Sequence, residues 1–182
     1  MKIAVIGQKW LGREVFEAAR RFGSVSYVIA PDPEDRLAQV ALIAGADVHC
    51  RRRLPADPVE LPAVDLLVSA HSFAYVPAWL RGLSGWAIGF HPSLLPLHRG
   101  RTAVADAVSA GDRITGGTVY RLEDGLDEGA VIYQDWCFVC PGETPSGLWR
   151  RSLAPMGLEL LTKAMWHLAE HGFLECSPQA EI

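Results

Sequence analysis

Two polar side chains stand where chemistry is expected. His91 closes the apolar run WAIGFH at 86–91 and is followed at once by Pro92. Side chains alternate along a strand, so Trp86, Ile88 and Phe90 share one face while Ala87, Gly89 and His91 share the other. Proline ends the strand and leaves His91 at its C-terminal tip. In open α/β sheets ligands bind beyond those tips. An imidazole there can move a proton or serve a developing oxyanion near neutral pH, or it can simply hydrogen-bond a loop. Asp127, in the segment EDGLDEGA at 123–130, reads by itself as a loop carboxylate beside turn glycines. Beside an imidazole it would favour the charged ring. Ser93 lacks the G-x-S-x-G elbow of a hydrolase nucleophile and reads as a hydroxyl that caps its turn.

The surrounding pattern supplies the elements. Strands are expected at 2–6, 25–30, 47–50, 65–70 and 86–91. Between them lie helical spacings, first Leu11, Val15, Ala18 and Phe22, then Leu37, Val40, Ala41 and Ala44, then a short helix at 77–83. Residues 51–64, basic and then rich in Pro and Ala, read as an exposed loop. This order predicts a Rossmann-like, doubly wound, mostly parallel twisted sheet with helices on both faces. Two β-rich runs follow at 115–122 and 131–139, joined by the loop that carries Asp127. Thr144 and Pro145 mark a helix start. Pro155 should kink or restart that helix, and Gly172 should end it. The last ten residues read as frayed. One domain over 1–182 is expected.

The chain has 182 residues, of which 49% are hydrophobic and 21% charged, as in a globular protein. Its net charge of −4 makes nucleic acid an unexpected partner. No apolar run reaches the roughly 18 residues that span a bilayer, and MKIAVIG lacks the form of a signal peptide, so a cytoplasmic protein without membrane contact is expected. Cys137 and Cys140 form a CxxC, but no second pair or histidines follow at zinc-site spacing, and no metal is expected. The turn from Gly7 to Gly12 resembles the dinucleotide fingerprint with Lys9 in place of its middle glycine, which counts against a nicotinamide cofactor. That turn could instead face a substrate phosphate or carboxylate through Lys9, or be an ordinary βα turn.

GFHPSLLPLHRG at 89–100 resembles the signature of the folate-dependent formyltransferases. TGGTVY at 115–120, GLDEG at 125–129 and VIYQ at 131–134 are similar to that family's second motif. The resemblance spans roughly 65–170 and is specific for the family, not for its substrate. It implies a formyltransferase with 10-formyltetrahydrofolate as co-substrate and a primary amine of a small molecule as acceptor. His91 would stabilise the oxyanion or shuttle a proton, and Asp127 would orient and charge it. The pterin slot would come from segments 70–76 and 121–127, with His71, Ser72, Phe73, Gly89, Leu122, Gly125 and Leu126 as its expected residues.

The family pattern is Asn-x-His, and this chain has Gly89 at the Asn position. Losing one oxyanion donor costs roughly two to three orders of magnitude in rate where nothing replaces it. A neighbouring donor such as His71, Ser72 or His98 could replace it, or the pocket could be enlarged for a different substrate or for a water. Lys9, Ser93, Arg99 and Arg101 are expected around the acceptor, the two arginines toward a sugar-nucleotide phosphate as in amino-sugar N-formyltransferases. The acidic chain ends soon after its last helix, so tRNA is not the expected acceptor. The alternatives are a 10-formyltetrahydrofolate hydrolase, with water replacing the amine, and a folate-binding module with weak or no catalysis. Trp10, Trp79 or Trp149 could belong to a homodimer face, or equally to the core.

Overall fold

The computed structural model describes residues 1–180. Its strands are β1 (Lys2–Gly7), β2 (Ser24–Ala30), β3 (Val48–Cys50), β4 (Val64–Ala70), β5 (Ser84–His91), β6 (Ile114–Arg121) and β7 (Val131–Phe138). Its helices are α1 (Lys9–Ala19), α2 (Arg36–Ile43), α3 (Ala78–Arg81), α4 (Ala103–Ala110), α5 (Pro145–Leu148) and α6 (Ala154–His171). The strands form one sheet in the order β3-β2-β1-β4-β5-β6-β7. β1 to β5 are parallel, β6 runs antiparallel to β5, and β7 antiparallel to β6. The sheet is therefore mostly parallel, as the alternating pattern requires.

Central strands covered on both faces must be apolar throughout, and residues 3–6 of β1 and 66–68 of β4 are buried without interruption. One face packs under α1, α2 and α6, where Leu11, Val15, Leu37, Leu161 and Met165 meet Ile3, Val5, Leu66, Val68, Ile88 and Phe90. The other face is covered more thinly. Leu80 of α3, with Leu54 and Leu61, closes over Ala4, Ile6, Tyr27 and Leu67. The segment 51–64, expected as an exposed loop, thus lends two leucines to the core, and its Pro55 carbonyl accepts the Trp79 indole N–H at 3.0 Å. On β5 the expected alternation is observed: Ile88 and Phe90 join the first cluster, Ala87 the second.

Two features depart from the sequence pattern, and one between them follows it. α4 has no strong apolar stripe, since only Ala103 and Ala107 are buried, and its Gly111 terminates it in the left-handed conformation. At Pro155 the helix restarts, one of the two outcomes expected, since α6 begins at Ala154 with the proline in its first turn. A turn of π-helix, Trp149–Leu153, lies just before it, which widens the backbone where proline has no N–H to give. The C-terminal segment is not frayed through residue 180. After Gly172 it returns to the sheet, where Ser177 and Val131 exchange backbone hydrogen bonds of 2.8 Å and Leu174 is buried. Among the described residues no helix is long and apolar enough to cross a membrane.

Candidate active site

β1, β4 and β5 end on one side of the sheet, and a cavity of about 830 Å³ opens beyond their tips. His91, the last residue of β5, is 6% exposed and lines this cavity. Its Nε2 lies 2.8 Å from the His98 carbonyl oxygen, which can only accept, so Nε2 carries a hydrogen. Its Nδ1 lies 3.3 Å from Oδ2 of Asp127. Both ring nitrogens therefore face acceptors, and only the charged imidazolium donates to both.

Asp127 has a φ of 52°, in the left-handed region that a non-glycine residue occupies only when its surroundings hold it there. Three contacts do so. The Gly100 N–H donates to Oδ2 at 2.8 Å, the Tyr120 hydroxyl donates to Oδ1 at 2.6 Å, and the Gln179 amide donates to the Asp127 carbonyl at 2.7 Å. Burial, the Asp127 charge and the bond to it all push the Tyr120 phenol far up, so it stays protonated.

The segment after β4 forms the next wall. His71 has a φ of 57° and packs its ring against Trp149, with centroids 4.6 Å apart, and edge-on to Phe73 at 5.3 Å. Burial, helped by the charge of Lys9, holds His71 down at about 4, so its ring is neutral near pH 7. The Ser72 hydroxyl accepts the Ala74 N–H at 3.1 Å, shaping the turn. The Arg101 guanidinium donates to the Phe73 carbonyl at 2.7 Å and ties this segment to the chain beyond β5. Gly89, Leu122, Gly125 and Leu126 line the same cavity, so every expected residue of the pterin slot faces it.

At the far end the α1 N-terminus is already occupied. The Lys9 backbone N–H donates to both carboxylate oxygens of Asp35 at 3.0 Å, and Asp35 also caps α2 by accepting from Leu37 at 2.9 Å. The favourable position for an anion thus holds the chain's own carboxylate. Lys9 still lines the cavity, as do Arg36 and Arg150.

The remaining expected residues fall elsewhere. Ser93 is fully buried and donates its hydroxyl to the Leu97 carbonyl, away from the cavity. Arg99 points to the outside, donating to Gln179 at 2.7 Å and to Glu128 at 3.3 Å. The His98 side chain pairs with Asp112 at 2.7 Å, and only its backbone carbonyl reaches the site. Sequence reasoning missed Tyr120, Asp35 and Trp149. Tyr120 follows Thr118 at strand spacing inside the second motif, a usable signal. Trp149, one of three tryptophans weighed for a dimer face or the core, is a cavity wall brought in by the π turn. Among the described residues no three His, Cys, Asp or Glu side chains group around a metal position.

A family model described as "Formyl transferase" matches residues 55–164. Over the whole chain the sequence is 34% identical to cytosolic 10-formyltetrahydrofolate dehydrogenase of Mus musculus, covering 22% of that protein. It is 35% identical over 66% of the chain to methionyl-tRNA formyltransferase of Paracidovorax citrulli, covering 36% of that protein. The chain therefore spans only about a fifth of the length of the dehydrogenases that it matches. The fold is similar to an N-formyltransferase from Helicobacter canadensis solved with folinic acid and dTDP-3-aminofucose, with a TM-score of 0.83 at 18% identity, over 100% of this chain and 68% of that one. It is also similar to phosphoribosylglycinamide formyltransferase from Bacillus halodurans, with a TM-score of 0.79 at 19% identity, over 95% and 97% of the two chains.

Proposed function

The chain belongs to the formyl transferase family, and from that premise we propose that it transfers the formyl group of 10-formyltetrahydrofolate to a primary amine of a small molecule. The observation that carries this reading is the contact of His91 with Asp127 inside a cavity walled by the expected pterin-slot residues. The amine nitrogen attacks the formyl carbon, and the carbonyl electrons move to oxygen. Collapse of this tetrahedral oxyanion breaks the carbon–N10 bond. The amine loses a proton and N10 gains one, leaving tetrahydrofolate.

His91 suits both needs of that sequence. Its Nε2–H can turn from the His98 carbonyl to the oxyanion, and Asp127 balances the charge of the ring. Such a positioned acid–base group contributes about 10²- to 10⁴-fold in rate. Gly89 offers no side-chain donor. Of the three replacements considered, Ser72 and His98 have their side chains engaged in local bonds, whereas the neutral His71 ring stands at the cavity wall. His71 is thus the favoured donor toward the formyl oxygen. The solved relative bound to folinic acid and dTDP-3-aminofucose supports an amino sugar as acceptor class, with Lys9, Arg36, Arg101 and Arg150 as the basic residues lining the cavity.

A second reading has its own support. The 34% identity to a 10-formyltetrahydrofolate dehydrogenase extends over the whole chain, and water in place of the amine would release formate. Purified protein is mixed with 10-formyltetrahydrofolate, with and without amino sugars and other small amines, and tetrahydrofolate and formate are measured. Acceptor-dependent release of tetrahydrofolate without formate supports transfer. Acceptor-independent release with formate supports hydrolysis. Saturable folate binding with neither product points to a binding module.

A further inference from the structure

Gly89 and Tyr120 lie directly opposite each other on the antiparallel pair of β5 and β6. A Cβ at position 89 would come 2.8 Å from Cδ2 of Leu122, which would have to shift, and 3.5 Å from Cε1 of Tyr120, an ordinary van der Waals contact. Position 89 therefore sits directly against both the Tyr120 ring and the end of Leu122. The ring is 8% exposed and lines the cavity with His91 and Asp127.

A phenol has one proton to donate. Tyr120 gives it to Oδ1 of Asp127 at 2.6 Å, while Oδ2 accepts from Gly100 and faces His91. The hydroxyl is consequently not free to serve an oxyanion, and it acts through the carboxylate. With both oxygens held, Asp127 cannot rotate away from the ring that it charges. Neither β6 nor the 123–130 loop supplies a second side-chain donor to Oδ1 among the described residues.

We propose that Tyr120 is a positioning residue for the reaction, its hydroxyl locking the Asp127 carboxylate in the orientation that faces His91. This rests on the formyl-transfer reading for its role in turnover, but the coupling of Tyr120 to Asp127 can be measured without turnover.

The test compares the unaltered protein with Tyr120→Phe, which keeps the ring and removes only the hydroxyl. A hydrogen bond to a charged group is worth about a 10- to 100-fold effect, so kcat is expected to fall by that factor, with KM for 10-formyltetrahydrofolate within about twofold. The acid limb of kcat/KM should move to higher pH, because the carboxylate has lost a bond that favours its ionised form. In protein labelled with ¹³C at aspartate, the Asp127 carboxyl titration should move upward by the same cause. In an Asp127→Asn background the Tyr120→Phe change should have no further effect on kcat. A ring that matters only for packing would leave both pH readouts in place. An unmoved Asp127 titration, or an unchanged kcat in Tyr120→Phe, overturns the proposal. Absence of turnover in the unaltered protein with amines and with water would instead overturn the formyl-transfer reading, and the carboxyl titration would still decide whether Tyr120 governs Asp127.

Discussion

Nδ1 of His91 lies 3.3 Å from Oδ2 of Asp127, although 35 positions of sequence separate the two residues. One ends a central parallel strand, and the other sits in the loop between two antiparallel strands added at the sheet's edge. Their contact joins the two halves of the fold at one chemical centre. His91→Ala should lower kcat by about 10²- to 10⁴-fold, the contribution of a positioned acid–base group. Asp127→Asn should lower it within the same range while folate binding, followed by tryptophan fluorescence, persists. An active His91→Ala enzyme would remove the proposed mechanism.

The space at Gly89 is tight. Gly89→Ala should cost no more than about 1 kcal/mol, because the atom it meets is the movable end of the Leu122 side chain. The double variant with Leu122→Ala should recover part of that loss. A double-mutant cycle in thermal unfolding measures it, and strictly additive losses would mean that the two positions do not press on each other.

His71 makes stability depend on pH in an identifiable window. Burial, then the charge of Lys9, holds the folded ring at about 4, against roughly 6.5 in an unfolded chain. Between those values the unfolded chain binds a proton that the folded chain refuses, so this contribution is complete above the unfolded value and is lost as pH falls toward 4. Thermal unfolding from pH 7 to pH 4 should show a shallower acid decline for His71→Asn than for the unaltered protein.

Asp35 holds the Lys9 amide, which an anion would otherwise use at the start of α1. Asp35→Ala should remove the α2 cap and lower stability by about 0.5–2 kcal/mol. It should also raise the affinity of the cavity for inorganic phosphate, read by isothermal calorimetry, since a carboxylate no longer competes at the helix N-terminus. Unchanged phosphate affinity would separate the two roles.

The Tyr27 hydroxyl is buried in the thinner core and has no partner among the described residues, and burial pushes its phenol up to about 12. Tyr27→Phe should leave the fold intact and raise stability by about 1 kcal/mol, because an unsatisfied buried hydroxyl is removed. Denaturant unfolding with an unchanged m-value checks this.

Local pattern was enough for much of this protein. The apolar runs of β1, β4 and β5, the stop at Pro92 and the glycine after α6 are short-range signals, and they predicted a mostly parallel sheet with His91 at a strand tip. The two motifs likewise marked His91, Gly125, Leu126 and Asp127, which line one cavity. α4 escaped because an alanine-rich helix with two buried residues carries little periodicity. The leucines of the 51–64 segment escaped because they are isolated among polar and proline residues.

Tertiary structure alone decided which of the marked residues share the cavity. Nothing near Arg99 or Ser93 in sequence reveals that one points outward to Gln179 and the other is sealed beneath its own turn. Nothing near Tyr120 reveals that its hydroxyl ends on Asp127, or that Gly89 is bare beside it. Sequence determines side-chain chemistry and the period of each element. Contacts between residues far apart in the chain depend on register and crossing of strands, which only the packed sheet specifies.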